Sequence, residues 1–496
     1  MEELNLPPNA LETHGKVELG RPLAAPLPPH ANPAPSRATP RHAALPAAPA
    51  WHIMVREHAA ARGHPRGEGA HRMADGMNSA ETGKRLEPSA RYLLHLIACG
   101  LHGKTPAAPP ADASWERVHA FAAQNSVEGA AWAGARHLAA DMPAELAQAW
   151  EGEADATLWR RLQFDAERER VIAALEQAGF SYLPLKGVLV APMYPDPSMR
   201  SMADNDILYG RVEPDPAGGW RVAGATEKER AETVKRSTAE LVPIMEGLGF
   251  ETDHVGAGNA DCFTKRPIFN FEMHRVLFEG RYEHIAGPFK SPWARAVPDA
   301  PGSRSFHLEP TDLYLYLLDH SYKHYTGGGT GVRSAVDEYV ELEALEPLID
   351  RARLDRDLAD MGMTAFEAGL RAAAREAFGP ESAEDADHEL SPASEDMLSY
   401  MMGAGTYGYR ALRVRNRVAR DVADGASPAV AKLRYLGERF MMRPEDRAAY
   451  YPRVGASRIL LPLFVIARAG KLIARAPKVA SELVALKRTH PDRPGR

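Results

Sequence analysis

Cysteine is nearly absent: Cys99 and Cys262 are the only two in 496 residues. That excludes a disulfide framework and a cysteine-based zinc site, and it fits a reducing, cytoplasmic setting. A strong excess of one charge is also lacking. The net charge of −6 argues against a general nucleic-acid coat, which needs a basic face, and leaves room only for a local basic groove. Long apolar runs are missing as well. The best candidate, "ILLPLFVIARAGKLIA" from Ile459 to Ala474, carries Arg468 and Lys471 and falls short of the roughly 20 residues a spanning helix needs. No integral membrane span is expected. The segment reads as a helix docked on the core, with an interfacial basic helix as the alternative. The amino terminus shows no apolar run of the secretory kind.

What is present is 45% hydrophobic and 25% charged, enough for two to four domains at the usual domain size. The first fifty residues hold 11 of the 40 prolines. Such a segment cannot bury enough apolar surface to offset its ordering entropy, so residues 1–85 are expected to be disordered. Met73 and Met77 are candidate starts within it. Residues 86–175 read as helical, because "ARYLLHLIACGL", "WERVHAFAAQNSVEGAAWAGARHL" and "RERVIAALEQAGF" place apolar residues at three- and four-residue steps. Gly179 is placed to end the last of these as a left-handed cap.

The period then changes over residues 176–290. "SYLPL" reads as a strand, "MADNDILY" alternates, and a helix is expected from Glu227 to Leu248. "DCFTK" and "IFNFEMHRV" follow as strands, the latter with Asn270, Glu272 and His274 on one face. Residues 291–478 return to helical spacing, interrupted by an acidic loop over 379–396, and 479–496 form a basic tail.

The chemistry concentrates between Leu183 and Asp206, "LPLKGVLVAPMYPDPSMRSMADND". Asp204 and Asp206 stand two apart on a strand, so their carboxylates point the same way and repel unless a cation sits between them. Magnesium, or manganese, suits such a pair because it combines carboxylates with water and substrate phosphates. Glu272, on a later strand, is a candidate third ligand, and three carboxylates can serve two metals in phosphoryl chemistry. Gly187 allows close approach of backbone to a phosphate, Lys186 offers a point charge, and Arg200 a fork that matches phosphate oxygens.

Other signals carry less. His320 and His324 have metal-ligand spacing on a helix but lack the glutamate of a metalloprotease motif, and a plain helix face is the simpler account. "GAGTYG", Gly403 to Gly408, matches a dinucleotide fingerprint but follows a helix-like segment rather than a strand. "GGGTG" at 327–331 reads as a connection. His274 suits a satisfied histidine as well as a catalytic one.

These motifs resemble the uncharacterised nucleotidyltransferase family, whose pattern is Leu-Lys-Gly, Tyr-Pro-Asp-Pro, Arg, then Asp-Ile-Asp-Leu-Leu. "WERVHAFAAQNSV" is similar to its amino-terminal helices, "FNFEMHRVL" to its third-acid strand, and "DLYLYLLDHSYKHYTGGGTGVRSAVDEYVEL" to its carboxy-terminal helices. Asn205 stands where an apolar residue is usual, and Tyr209 where a small aliphatic one is common. The resemblance implies the DNA polymerase β-like superfamily: an α+β fold, with a small mixed-sheet core flanked by amino- and carboxy-terminal helical regions. It implies metal-dependent transfer of a nucleoside monophosphate from an NTP, such as ATP, to an acceptor hydroxyl not identified by the sequence. Asp204, Asp206 and Glu272 become catalytic metal ligands, and Lys186, Gly187, Arg200 and Lys323 nucleotide-binding residues. His320 and His324 then line the cleft with Lys323. The alternative is a nucleotide-binding or interaction module of the same fold with negligible turnover. Nothing in the sequence strongly indicates a nucleic-acid partner.

Overall fold

The computed structural model describes residues 85–256, 258–278, 285–442, 447, 459–474 and 476–489. The segment expected to be disordered, apart from its last residue, and the end of the basic tail lie outside them.

The amino-terminal helices form where the apolar spacing puts them. They are α1 (Pro88–His102), α2 (Trp115–Asn125), α3 (Glu128–Ala135) and α4 (Ala144–Gln177). Ser114 caps α2 by accepting from the Arg117 N–H at 3.3 Å. Gly179, at φ 78°, turns the chain after α4, as its position predicts. The apolar spacing marks only the last part of α4; the structure continues it back to Ala144.

The sheet follows. β1 (Ser181–Leu185) leads through the single-turn α5 (Gly187–Val190) to β2 (Asn205–Gly210), and a small hairpin pairs β3 (Val212–Pro214) with β4 (Trp220–Val222). Then come α6 (Glu227–Gly247), β5 (Glu251–His254), β6 (Ala260–Lys265) and β7 (Phe269–His274). Thr226 and Glu229 form a reciprocal capping box at the start of α6. The five-stranded sheet has the order β1-β2-β7-β6-β5. Its one parallel pair is β2 with β7; the others are antiparallel.

A second hairpin, β8 (Ala296–Pro298) with β9 (Phe306–Leu308), precedes α7 (Pro310–Thr326), α8 (Arg333–Leu345), α9 (Arg351–Met361) and α10 (Thr364–Phe378). The stretch expected as an acidic loop contains α11 (Pro380–Glu384) and the start of α12 (Pro392–Ala404). Proline in the first turn suits both helices, and Ser391 caps α12. The chain closes with α13 (Arg410–Ala423), α14 (Pro428–Met441), α15 (Leu461–Ala474) and α16 (Ala476–Arg488). The architecture is α+β, with a mixed sheet between helical regions.

Two apolar cores position the site. In one, Phe180, Tyr182, Ile207, Tyr209, Phe271 and Met273 cover one sheet face and pack on Val171 and Leu175 of α4 and on Leu241 and Met245 of α6. The other is larger and joins amino-terminal, sheet and carboxy-terminal residues, from Leu86 through Leu185 and Leu208 to Met402. Among the described residues, no helix is long and apolar enough to cross a membrane.

Candidate active site

The site begins with a backbone constraint. Lys186, between β1 and α5, sits at φ 50° and ψ −120°, a region that costs a side-chain-bearing residue of order 1–3 kcal/mol. The surroundings hold it there. Arg200 packs under the turn so closely that a Cβ at Gly187 would lie 2.8 Å from its Nη1 atom, which is why glycine follows the lysine. Arg200 is itself fixed: its Nε and Nη2 donate to the two oxygens of Asp337 on α8, at 2.8 and 2.9 Å, and the Tyr194 hydroxyl donates to the same carboxylate at 2.6 Å.

Lys186 Nζ donates to Asp206 Oδ1 at 2.6 Å and stands 4.0 Å from Glu272 Oε2. The parallel register of β2 and β7 puts Asp206 opposite Glu272, and His274 lies two residues on, on the same face. His274 Nε2 is 2.7 Å from Asp206 Oδ1 and 3.8 Å from Glu272 Oε2. Asn259 Nδ2 lies 3.1 Å from the other ring nitrogen. With that amide donating to Nδ1, Nε2 carries the proton that Asp206 accepts. One ligand atom each from Asp206, Glu272 and His274 lies within 4.8 Å of the others, a spacing fit for a bound cation.

The charges explain themselves by burial and proximity. Burial alone would raise the Asp206 carboxyl, but Lys186 and His274 outweigh it and hold Asp206 well below the usual range. The same contact raises Lys186 despite the burial that opposes its charge. Burial, then the Asp206 charge, pushes Glu272 up to about 7 and Asp204 up to about 6. His274 is lowered by burial and then by Lys186. One firmly ionised carboxylate thus stands beside two that a further cation would ionise.

Helix α7 flanks this cluster. Its His320 and His324 bring their Nε2 atoms to 3.1 Å. Both are lowered, His324 to about 3, by burial and then by Lys323, with Lys186 a further contributor to each. The Lys323 ammonium lies 5.8 Å from the Phe278 ring centre. The Tyr316 hydroxyl and both oxygens of Asp319 are buried without a hydrogen-bond partner among the described residues.

Of the residues singled out from sequence, Lys186, Asp206 and Glu272 meet, with Gly187 beside them. Asp204 precedes β2 and feels Asp206 electrostatically, but it is not a member of the converging group. Arg200 spends two of its three guanidinium nitrogens on Asp337. His274 joins Asp206 and Glu272 as a third potential ligand, and its alternation with Glu272 along "FNFEMH" is the local signal for it. Asn259 and Asp319 gave no local signal. Asn205 is fully buried, and its amide is met by α4: Arg168 Nη1 donates to it at 3.1 Å, and it donates to the Phe164 carbonyl at 3.4 Å. The Tyr209 hydroxyl donates to Asp261 at 2.7 Å.

Among known proteins, the family model described as an uncharacterised nucleotidyltransferase matches residues 111–217 and 233–379. No match emerges among the curated proteins or the solved structures. The matched segments take in just over half of the chain and include Lys186, Asp206, Glu272, His274 and the histidines of α7. With the sheet and its acidic cluster in place, the chain belongs to the uncharacterised nucleotidyltransferase family.

Proposed function

We propose that the chain transfers a nucleoside monophosphate from a magnesium- or manganese-bound NTP to an acceptor hydroxyl, whose oxygen bonds to the α-phosphorus as pyrophosphate leaves. The observation that carries this is the convergence of Asp206, Glu272 and His274 within 4.8 Å around the ammonium of Lys186. A cation already sits between the two carboxylates, so the donor set has the charge and spacing for a divalent ion. Asp206 and Glu272, with Asp204 adjacent, would hold it through hard oxygens; His274, with its proton moved to Nδ1, would add an Nε2 ligand more suited to manganese. Such an ion supplies Lewis-acid polarisation of phosphoryl oxygens.

The remaining work belongs to the protein. Lys186, released from Asp206, can meet the phosphates as a point charge. Glu272, ionised beside such an ion, would assist removal of the acceptor's proton. Lys323 offers a second positive group from α7, beside the imidazoles of His320 and His324. Arg200 and Gly187 shape the turn that aims Lys186.

Calorimetric titration of each NTP with magnesium into the wild type and Asp206→Ala tests the proposal. Metal-dependent binding that disappears in the variant is the expected result. Tight metal-dependent binding by Asp206→Ala would refute it, and wild-type binding without turnover on any acceptor would favour a binding module.

A further inference from the structure

The last 87 residues carry a charge opposite to the rest of the chain. From Arg410 to Arg496 there are 20 lysines and arginines against 7 acids, an excess of +13 in a chain of net −6, so the preceding residues sum to −19. This stretch lies beyond the segments that match the family, which end at residue 379.

Its helices share a core too small to use their apolar residues. Val414, Val418, Ala431 and Leu486 form it, and ion pairs such as Arg417–Glu438 and Arg439–Glu482, each 2.7 Å, brace it. Val430, Leu433, Leu436 and Phe440 fall on one stripe of α14 and are all exposed, Leu433 by 67%. Lys432 and Arg434 flank that stripe, and neither pairs with a carboxylate among the described residues. On α15, Leu463 and Ile466 lie one turn apart and are 53% and 68% exposed.

We infer that this carboxy-terminal arm is a peripheral binding surface for anionic phospholipid. The exposed apolar stripes enter the headgroup boundary, and the flanking cations lie over lipid phosphates. Leucine and isoleucine have no partner on a nucleic acid, which recruits cations and stacking aromatic rings instead. Two arms of +13 repel each other, which disfavours a second copy of the chain as the occupant. α13 ties the arm to the helix that flanks the active site. Asn416 Nδ2 donates to the carbonyls of Tyr325 and Gly327, at 3.2 and 3.0 Å, and Arg420 Nη2 donates to that of Thr326 at 3.0 Å. The inference does not depend on nucleotide transfer.

Flotation of the full chain with phosphatidylcholine vesicles, with and without phosphatidylglycerol, tests it. We expect binding only to the anionic vesicles, weakening as salt rises. Each cation near such a surface is worth about fivefold in affinity, so Lys432→Glu/Arg434→Glu should bind at least about twentyfold more weakly. Leu433→Glu/Ile466→Glu, which alters only exposed side chains, should lose about tenfold or more while unfolding at the wild-type temperature. No flotation of the wild type would overturn the inference, as would flotation indifferent to the Leu433→Glu/Ile466→Glu change. It would fall equally if that variant dissolved a dimer in sedimentation velocity, or lost affinity for an RNA oligomer as steeply as for vesicles.

Discussion

Lys186 is a cation held by a strained backbone where two carboxylates need one. Its proposed partner in the reaction is phosphate, not metal. A charge-assisted contact of this type is worth about 1.5–3 kcal/mol, so Lys186→Ala should weaken NTP binding roughly tenfold to a hundredfold. Magnesium binding to the apo protein should not fall, because the ligands remain. Calorimetry with magnesium alone and with magnesium and NTP separates the two effects. Asp319 makes a different prediction. Burial pushes its carboxyl from 3.8 up to about 8, so the folded protein keeps a proton there that the unfolded chain gives up. The associated stability is full below about pH 4 and drains as pH rises towards 8, by no more than about 1.4 kcal/mol per pH unit. Asp319→Asn should flatten this slope and gain on the wild type with each step up in pH. Urea unfolding at pH 5, 6.5 and 8 measures it, and parallel trends for the two proteins would count against the buried proton.

Among the elements, α8 does the least visible work. Its Asp337 reaches across to Arg200 and Tyr194, so the turn carrying Lys186 is fixed by a helix more than a hundred residues away in sequence. Removing one partner of a buried ion pair strands the other, at a cost of about 3–5 kcal/mol. Arg200→Ala should therefore lower unfolding stability by that amount, and Arg200→Met/Asp337→Leu should recover most of it. Denaturant unfolding of the single and double variants decides. Full stability in Arg200→Ala would leave Arg200 free for the phosphate role its sequence position suggests. The pairing of β2 with β7 matters in the same way, since a one-residue slip would turn Glu272 and His274 to the opposite face.

For the whole molecule, composition predicts that the amino-terminal segment contributes no core. Deleting residues 1–72 should change the melting temperature by less than about 2 °C. A larger fall in differential scanning fluorimetry would place essential packing there. The apolar core that starts at Leu86 and reaches Met402 makes amino- and carboxy-terminal helices cover one another. Substitutions in α1 should accordingly disturb the carboxy-terminal helices.

The local sequence determined much of this protein. The period change after Gly179 located the sheet, the alternation of "FNFEMH" put Glu272 and His274 on one face, and the Lys-Gly step marked the turn beside Asp206. Those signals are short-range, because strand and helix periods and turn propensities act over a few residues. The tertiary structure decided which carboxylates converge, since that depends on β2 and β7 pairing in parallel and in register across 66 residues. It also gave Arg200 to Asp337, brought Asn259 to His274, and met the amide of Asn205 with α4. Each is a long-range contact made by polar groups that must find a partner once buried, and no local pattern in the chain states which partner that is.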